Sequence, residues 1–240
     1  MKILYFNSYR MLSQNSSRPD VRKNFIEYLK NHEQPFDAIC LAESSSSNIG
    51  IQDLMPEYHF HQSEIMNTRL YRQGFKFAIA YSGECCVQPI NYPTDVFPNQ
   101  AFINSNENEG YCMEQLFSIR LGRHEVIVVH IQAIDSRKEM KELSQFSQSA
   151  GLRKLTAYMK TNKPDVVIGD FNLHRKALYN KIGESLLDIG GSDYSFVDLS
   201  QDVNGGKIHH ALSKNKAAHI NYVTEVQTHL TTAMVVEIKD

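Results

Sequence analysis

Asp170 and Asn172 stand one residue apart at the end of Lys163-Pro164-Asp165-Val166-Val167-Ile168-Gly169-Asp170-Phe171-Asn172. An apolar β-branched run that follows a proline and is bounded by a glycine predicts a buried strand. The carboxylate and the carboxamide then emerge at the strand's C-terminal end, where loops can open without disturbing a packed sheet. Side chains alternate along a strand, so the two share a side and can address one phosphate and the water that attacks it. Taken by themselves, the same two residues would also suit an ordinary Asp/Asn turn. Three more apolar runs end on a polar residue. Lys2-Ile3-Leu4-Tyr5-Phe6 leads to Asn7, Phe36-Asp37-Ala38-Ile39-Cys40-Leu41-Ala42 to Glu43, and Val126-Ile127-Val128-Val129 to His130. An Asn carboxamide can hold a ligating carboxylate or a phosphate oxygen without adding charge, and a strand-end Glu is the donor that Mg²⁺ prefers beside retained waters.

The elements that must position these groups alternate along the chain. Asp20 is placed as the N-cap of a helix over Val21 to His32, with Phe25, Ile26 and Leu29 as its apolar stripe. Ser8 to Pro19 and Ser44 to Gly50 read as loops, with a short helix over Ile51 to Met55. Gly74 to Ser82 predicts a strand, and Met113 to Leu121 with Glu125 to Ile131 a hairpin about Gly122-Arg123. Arg137 and Lys138 fall in the loop after that hairpin, and helices are expected over Met140 to Lys160 and near Leu178 to Leu187. Ser195 to Leu199 and Ala233 to Ile238 complete the strands, while Glu84 to Gly110, rich in Pro and Asn, has no clear pattern. Alternating strands and amphipathic helices predict an α/β fold. A chain of 240 residues can build it as one domain spanning 1–240.

Composition excludes little more. A formal charge of −2 does not advertise a broad nucleic-acid surface, although an average hides a local patch. Cys40, Cys85, Cys86 and Cys112 lack zinc spacing, and a reduced intracellular compartment is the simpler inference. Met1-Lys2 runs straight into a strand and no apolar run is long enough to span a membrane, so the expectation is a soluble, cytoplasmic protein.

Gly169-Asp170-Phe171-Asn172 after its apolar strand resembles the signature of the endonuclease/exonuclease/phosphatase superfamily, the fold of pancreatic-type deoxyribonucleases, abasic-site endonucleases, sphingomyelinases and inositol-polyphosphate phosphatases. Phe6-Asn7, the Asp37 to Glu43 segment, Gly74 to Ser82, His130-Ile131 and Phe196-Val197-Asp198 resemble further segments of that family, in its order. The resemblance implies a four-layered α/β sandwich, two packed mixed sheets flanked by helices. It implies a Mg²⁺-dependent phosphodiesterase, most plausibly nuclease-like, with Mn²⁺ as an alternative ion. In that reading Glu43 binds the metal, Asn7 supports it, Asp170 orients the water, and Asn172 and His130 hold the phosphate. Its partner is nucleic acid or another phosphodiester, which DNA, RNA, nucleotide and inositol phosphate would all satisfy.

Two segments depart from the family pattern. Asn221, in His219-Ile220-Asn221-Tyr222-Val223, stands where the family carries a late-strand Asp, leaving it at most a substrate-binding carboxamide. Thr231-Thr232 stand where the family closes with Asp-His. That Asp orients that His, so the joint absence reads as loss of one acid–base unit, which typically costs about 10²–10⁴-fold in rate. His229 and His219 are the histidines near enough in sequence to substitute. The expectation is therefore an attenuated hydrolase, set against a pseudoenzyme that keeps the pocket to bind nucleic acid, a nucleotide or a protein.

Overall fold

The computed structural model describes residues 1–8, 12, 18–32, 35–44, 55–62, 76–83, 85–89, 115–130, 155, 158–171, 194–196, 209–214, 218–228 and 231–239. In chain order their strands are β1 (Lys2–Asn7), β2 (Ala38–Ser44), β3 (His59–Gln62), β4 (Lys76–Tyr81), β5 (Cys85–Pro89) and β6 (Gln115–Leu121). There follow β7 (His124–His130), β8 (Val166–Asp170), β9 (Tyr194–Phe196), β10 (His209–Lys214), β11 (Ala218–Gln227) and β12 (Thr232–Ile238). They form two mixed sheets of six strands each, ordered β11-β12-β1-β2-β4-β3 and β5-β6-β7-β8-β10-β9. Each sheet has a parallel pair near its centre, β1 with β2 and β7 with β8. All four central strands therefore end at one edge of the sandwich.

Period-two alternation sorts the side chains of these strands into two layers. Ile3, Tyr5, Ala38, Cys40 and Ala42 face Val126, Val128, Val166 and Ile168 of the opposite sheet in one dry layer. Leu4, Phe6, Ile39 and Leu41 face outward instead, onto the helix α1 (Pro19–Asn31). That helix buries Val21, Phe25 and Leu29, a stripe at spacings of four residues. Full burial of such side chains contributes about 1.5–3 kcal/mol each. Its start differs from expectation. Arg18 occupies the N-cap without a capping side chain, Pro19 opens the first turn, where a missing N–H costs nothing, and Asp20 sits inside that turn, paired with Arg18 at 2.8 Å.

The hairpin about Gly122-Arg123 joins β6 to β7 as expected, with Gly122 at φ 58°, a backbone that favours glycine. Residues 158–162 are helical, in agreement with the end of the helix expected over Met140 to Lys160. The segments 137–138, 140–154 and 178–187, residues 45–54 and 91–110 and Cys112 lie outside the described residues.

Candidate active site

Four of the residues singled out by sequence meet at the edge where the central strands end. Parity alone turns three of them into the layer between the sheets. Asn7 follows Ile3 and Tyr5 in alternation, His130 follows Val126 and Val128, and Asp170 follows Val166 and Ile168. Glu43 has the wrong parity, since Cys40 and Ala42 point inward and Ile39 and Leu41 outward. The backbone corrects it. The register of β2 against β4 shifts between Leu41 and Ser44, and Glu43 takes φ 47°, a left-handed conformation uncommon for a residue with a Cβ. A bulge of this kind re-aims a side chain, and strain of about 1–3 kcal/mol persists only where neighbours enforce it. Ser8 is such a neighbour: its N–H donates to the Ala42 carbonyl at 3.1 Å and its hydroxyl to the Glu43 carbonyl at 3.2 Å.

Two contacts then cross between the sheets. The Asn7 Nδ2 donates to Asp170 Oδ2 at 2.9 Å, and His130 Nε2 stands 2.8 Å from Glu43 Oε1. The second is a close electrostatic approach off the N–H axis, not an aligned hydrogen bond. All four residues are buried, Asp170 and His130 to 1% exposure. Buried charge requires partners, and here each carboxylate finds its partner on the other sheet.

Tyr5, which sequence reading passed over as an apolar strand residue, adds a third crossing. Its hydroxyl accepts the Asp170 N–H at 3.0 Å and lies 3.4 Å from the Val129 carbonyl, to which it donates. Asp170 is thus gripped from β1 at two rungs, its N–H by Tyr5 and its carboxylate by Asn7. Burial, reinforced by the nearby Asp170 charge, holds the Tyr5 phenol well above the ordinary range, so it stays a neutral donor. Gly169 lets the strands approach closely enough. At φ 151°, its missing Cβ would meet the Val129 carbonyl oxygen at 2.0 Å.

Thr231 has the opposite history, being a departure from the expected pattern that the structure explains. Its hydroxyl donates to the Asn7 carbonyl at 2.7 Å and lies 2.8 Å from the Thr228 hydroxyl. The Thr228 N–H donates to the Thr231 carbonyl at 2.7 Å, closing the turn between β11 and β12 beneath Asn7. Thr231 and Thr232 are buried, in the turn and first strand residue beside the site.

Of the other sequence-predicted residues, Asn221 and His219 are not brought here. Asn172 and His229 lie outside the described residues. Asn221 pairs with Val235 and is exposed, on β11 of the first sheet, pointing away from the layer that holds Ile220 and Tyr222. His219 is exposed and in register with Glu237, which pairs with Lys2 at the far end of β1 from Asn7. The strand beside β8 is β10, which sequence reading left unassigned, and its first residue, His209, is in register with Asp170. His209–Lys214 is short and mixed in polarity, so periodicity does not single it out as a strand.

The donor set fits a hard cation. No group of three or more His, Cys, Asp or Glu side chains gathers as a metal cluster among the described residues. Mg²⁺ does not need one, because it binds through one or two carboxylates and keeps several waters. Glu43 Oε2 is buried and has no hydrogen-bond partner among the described residues, and an orphaned carboxylate oxygen at 7% residue exposure is the kind of group that a cation satisfies.

The fold has many solved counterparts. A 3′ phosphatase from Neisseria, bound to a product DNA hairpin, superposes with a TM-score of 0.59 and 16% identity over 100% of this chain and 99% of that one. The human Nocturnin catalytic domain, with bound sulfate, gives 0.61 and 12% over 98% of this chain and 93% of that one. The endonuclease domain of TRAS1, a telomere-specific non-LTR retrotransposon, gives 0.55 and 12% over 99% and 97%. No protein-family model and no curated protein sequence matches the chain. The chain has the DNase I-like fold of the endonuclease/exonuclease/phosphatase superfamily, two packed mixed sheets in an α/β sandwich. At these identities the likeness is one of architecture.

Proposed function

We propose that the protein is a Mg²⁺-dependent phosphodiesterase that cleaves nucleic acid, with Asp170, Asn7, His130 and Glu43 as its working residues. The observation that carries this reading is the pair of inter-sheet contacts, Asn7 to Asp170 and His130 to Glu43, converging at one edge. Two buried carboxylates, a carboxamide and an imidazole gathered where four strands end are poor packing material and useful chemistry. Nucleic acid is favoured as the substrate because the DNA-bound 3′ phosphatase and the retrotransposon endonuclease share the architecture.

Glu43, through its orphaned oxygen, with Asn7 beside it, holds the ion. Bound there, Mg²⁺ supplies charge neutralisation at the phosphate oxygens. The Asp170 carboxylate, fixed by Asn7, orients the attacking water and accepts its proton. His130 is positioned by Glu43 to donate to a non-bridging phosphate oxygen, the charge of which grows in the transition state. Asn172, two residues beyond Asp170 in sequence, extends the phosphate contact.

Thr231 favours a second reading. Its hydroxyl is committed to the Asn7 carbonyl, so Thr231, in the pair that stands where the resemblance expects the closing Asp-His, serves structure and supplies no imidazole of its own. A binding module with the same pocket would look alike. Mg²⁺-dependent hydrolysis of single- and double-stranded DNA and RNA, compared with Glu43→Ala and Asp170→Ala, separates the two. Activity that needs the ion and disappears in both variants supports the enzyme. Equal rates in wild type and variants, with Mg²⁺ or Mn²⁺, would leave binding as the function.

A further inference from the structure

Asn7 ends the middle one of three neighbouring strands in the first sheet. On one side lies β2, with Ala42 in register with Asn7, and on the other lies β12. Tyr5 is opposite Met234 and Leu4 opposite Val235, so the same antiparallel register, carried on by two residues, sets Thr232 opposite Asn7. Alternation gives Thr232 the face of Met234 and Val236, which lie in the layer between the sheets, and that is also the face of Asn7. Thr232 is 0% exposed, as enclosed as Asp170 and His130, and its hydroxyl has no hydrogen-bond partner among the described residues.

The fold gives no reason for that hydroxyl. Thr231 already ties the turn to the Asn7 carbonyl, and an apolar side chain of the same shape as Thr232 would pack without leaving a buried polar group unsatisfied. The other unpartnered oxygen at this edge is Glu43 Oε2, on the far side of Asn7. The two differ in kind. A carboxylate oxygen only accepts and suits a cation, whereas a hydroxyl can donate and suits an anionic oxygen. Adjacent strands are about 4.7–4.9 Å apart, so β2 and β12 are separated by about 10 Å, which is room for an ion and the phosphate that it neutralises.

Building on the phosphodiesterase reading above, we infer that the Thr232 hydroxyl is a catalytic hydrogen-bond donor to a non-bridging oxygen of the scissile phosphate, across Asn7 from the ion at Glu43. The hydroxyl keeps its proton throughout. It stabilises the charge that grows on that oxygen in the transition state, and no bond to Thr232 forms or breaks.

The test compares Thr232→Val, which keeps the shape and removes the hydroxyl, with Thr232→Ser, which keeps the hydroxyl. Three quantities are measured: Tm without ligand, kcat on a dinucleotide in Mg²⁺, and the Kd of inorganic phosphate in Mg²⁺ by titration calorimetry. Thr232→Val should match or exceed the wild-type Tm, because it removes only an unpartnered group. Its kcat should fall by about 10²–10³-fold and its phosphate affinity by about tenfold or more. Thr232→Ser should recover most of both losses. A clearly lowered Tm in Thr232→Val would show that the hydroxyl serves the fold, and wild-type rate and phosphate affinity in that variant would show that it touches no phosphate. Either result would overturn the assignment while Asp170→Ala still reports on the phosphodiesterase reading. Wild-type protein inactive on the dinucleotide would remove that reading and this one together.

Discussion

A carboxylate at 1% exposure is held by what surrounds it: the Asp170 side chain accepts a hydrogen bond from Asn7, and its N–H donates to the Tyr5 hydroxyl. Leaving a buried polar group unsatisfied costs about 1–3 kcal/mol, and more for a charged one. Asn7→Ala strips a donor from the carboxylate, so the fold should lose about 2 kcal/mol and the kcat of any hydrolysis should fall with it. Urea unfolding beside steady-state kinetics would report both, and a variant as stable and as fast as wild type would show that Asn7 does not support Asp170. Tyr5→Phe keeps the ring in the core and removes only the hydroxyl. A loss of about 1–3 kcal/mol is expected, with no change in the unfolding m-value. At this scale the sequence was informative where polarity interrupts an apolar run, as at Asn7, Glu43, His130 and Asp170. It was silent on Tyr5, because an aromatic inside an apolar strand looks like packing and nothing local shows that its hydroxyl reaches the other sheet. Glu43 was legible as a residue but not in its geometry, since alternation assigns it to the wrong face and only the bulge restores it.

Strands and turns bring these groups together, and two of them are under tight constraint. In β8 a Cβ at Gly169 would stand 2.0 Å from the Val129 carbonyl oxygen, a backbone atom that cannot move without breaking the pairing of β7 and β8. Gly169→Ala should therefore be among the most damaging single-methyl changes in the chain, costing at least about 3 kcal/mol or abolishing soluble expression. Near-wild-type thermal unfolding of that variant would contradict the close approach. The turn between β11 and β12 rests on hydroxyls. Thr231→Val keeps the volume but removes the bond to the Asn7 carbonyl at 2.7 Å and the contact with Thr228, and should cost about 1–3 kcal/mol. Strands with continuous β-branched runs, such as β7 and β8, were readable because burial on both faces leaves that pattern. β3, β5 and β10 were not, for His59–Gln62, Cys85–Pro89 and His209–Lys214 are short and mixed in polarity, and they hold their places through pairing with neighbours distant in sequence.

The molecule as a whole is two sheets closed on one dry layer, and that layer contains ionisable groups that must stay neutral. Cys40 is fully buried there, and desolvation pushes its thiol far above the ordinary value of 9.0. Cys85, packed against the same layer, is pushed up to about 12, first by burial and then by Cys86. Tyr5 is raised from 10.0 by burial and by Asp170. Each of these groups has a folded pKa above its unfolded one, so each contributes stability that is fully present below the unfolded pKa and is lost as pH rises towards the folded value. Thiols in the unfolded chain ionise from about pH 8.5 and phenols from about pH 10, while the folded core resists both. Stability should therefore be level with respect to these groups near pH 7–8 and decline above about pH 9, with a slope of about 1.4 kcal/mol per pH unit for each group ionised in the unfolded chain alone. Urea unfolding at pH 7.5, 9 and 10.5 measures the decline. Cys40→Ala should be less stable at pH 7.5, because it leaves a small cavity, yet show a shallower fall from pH 9 to 10.5, because one of the titrating groups is gone. If wild type and Cys40→Ala declined in parallel, the Cys40 thiol would be ionising equally in both states, and the layer between the sheets would not be dry at that point.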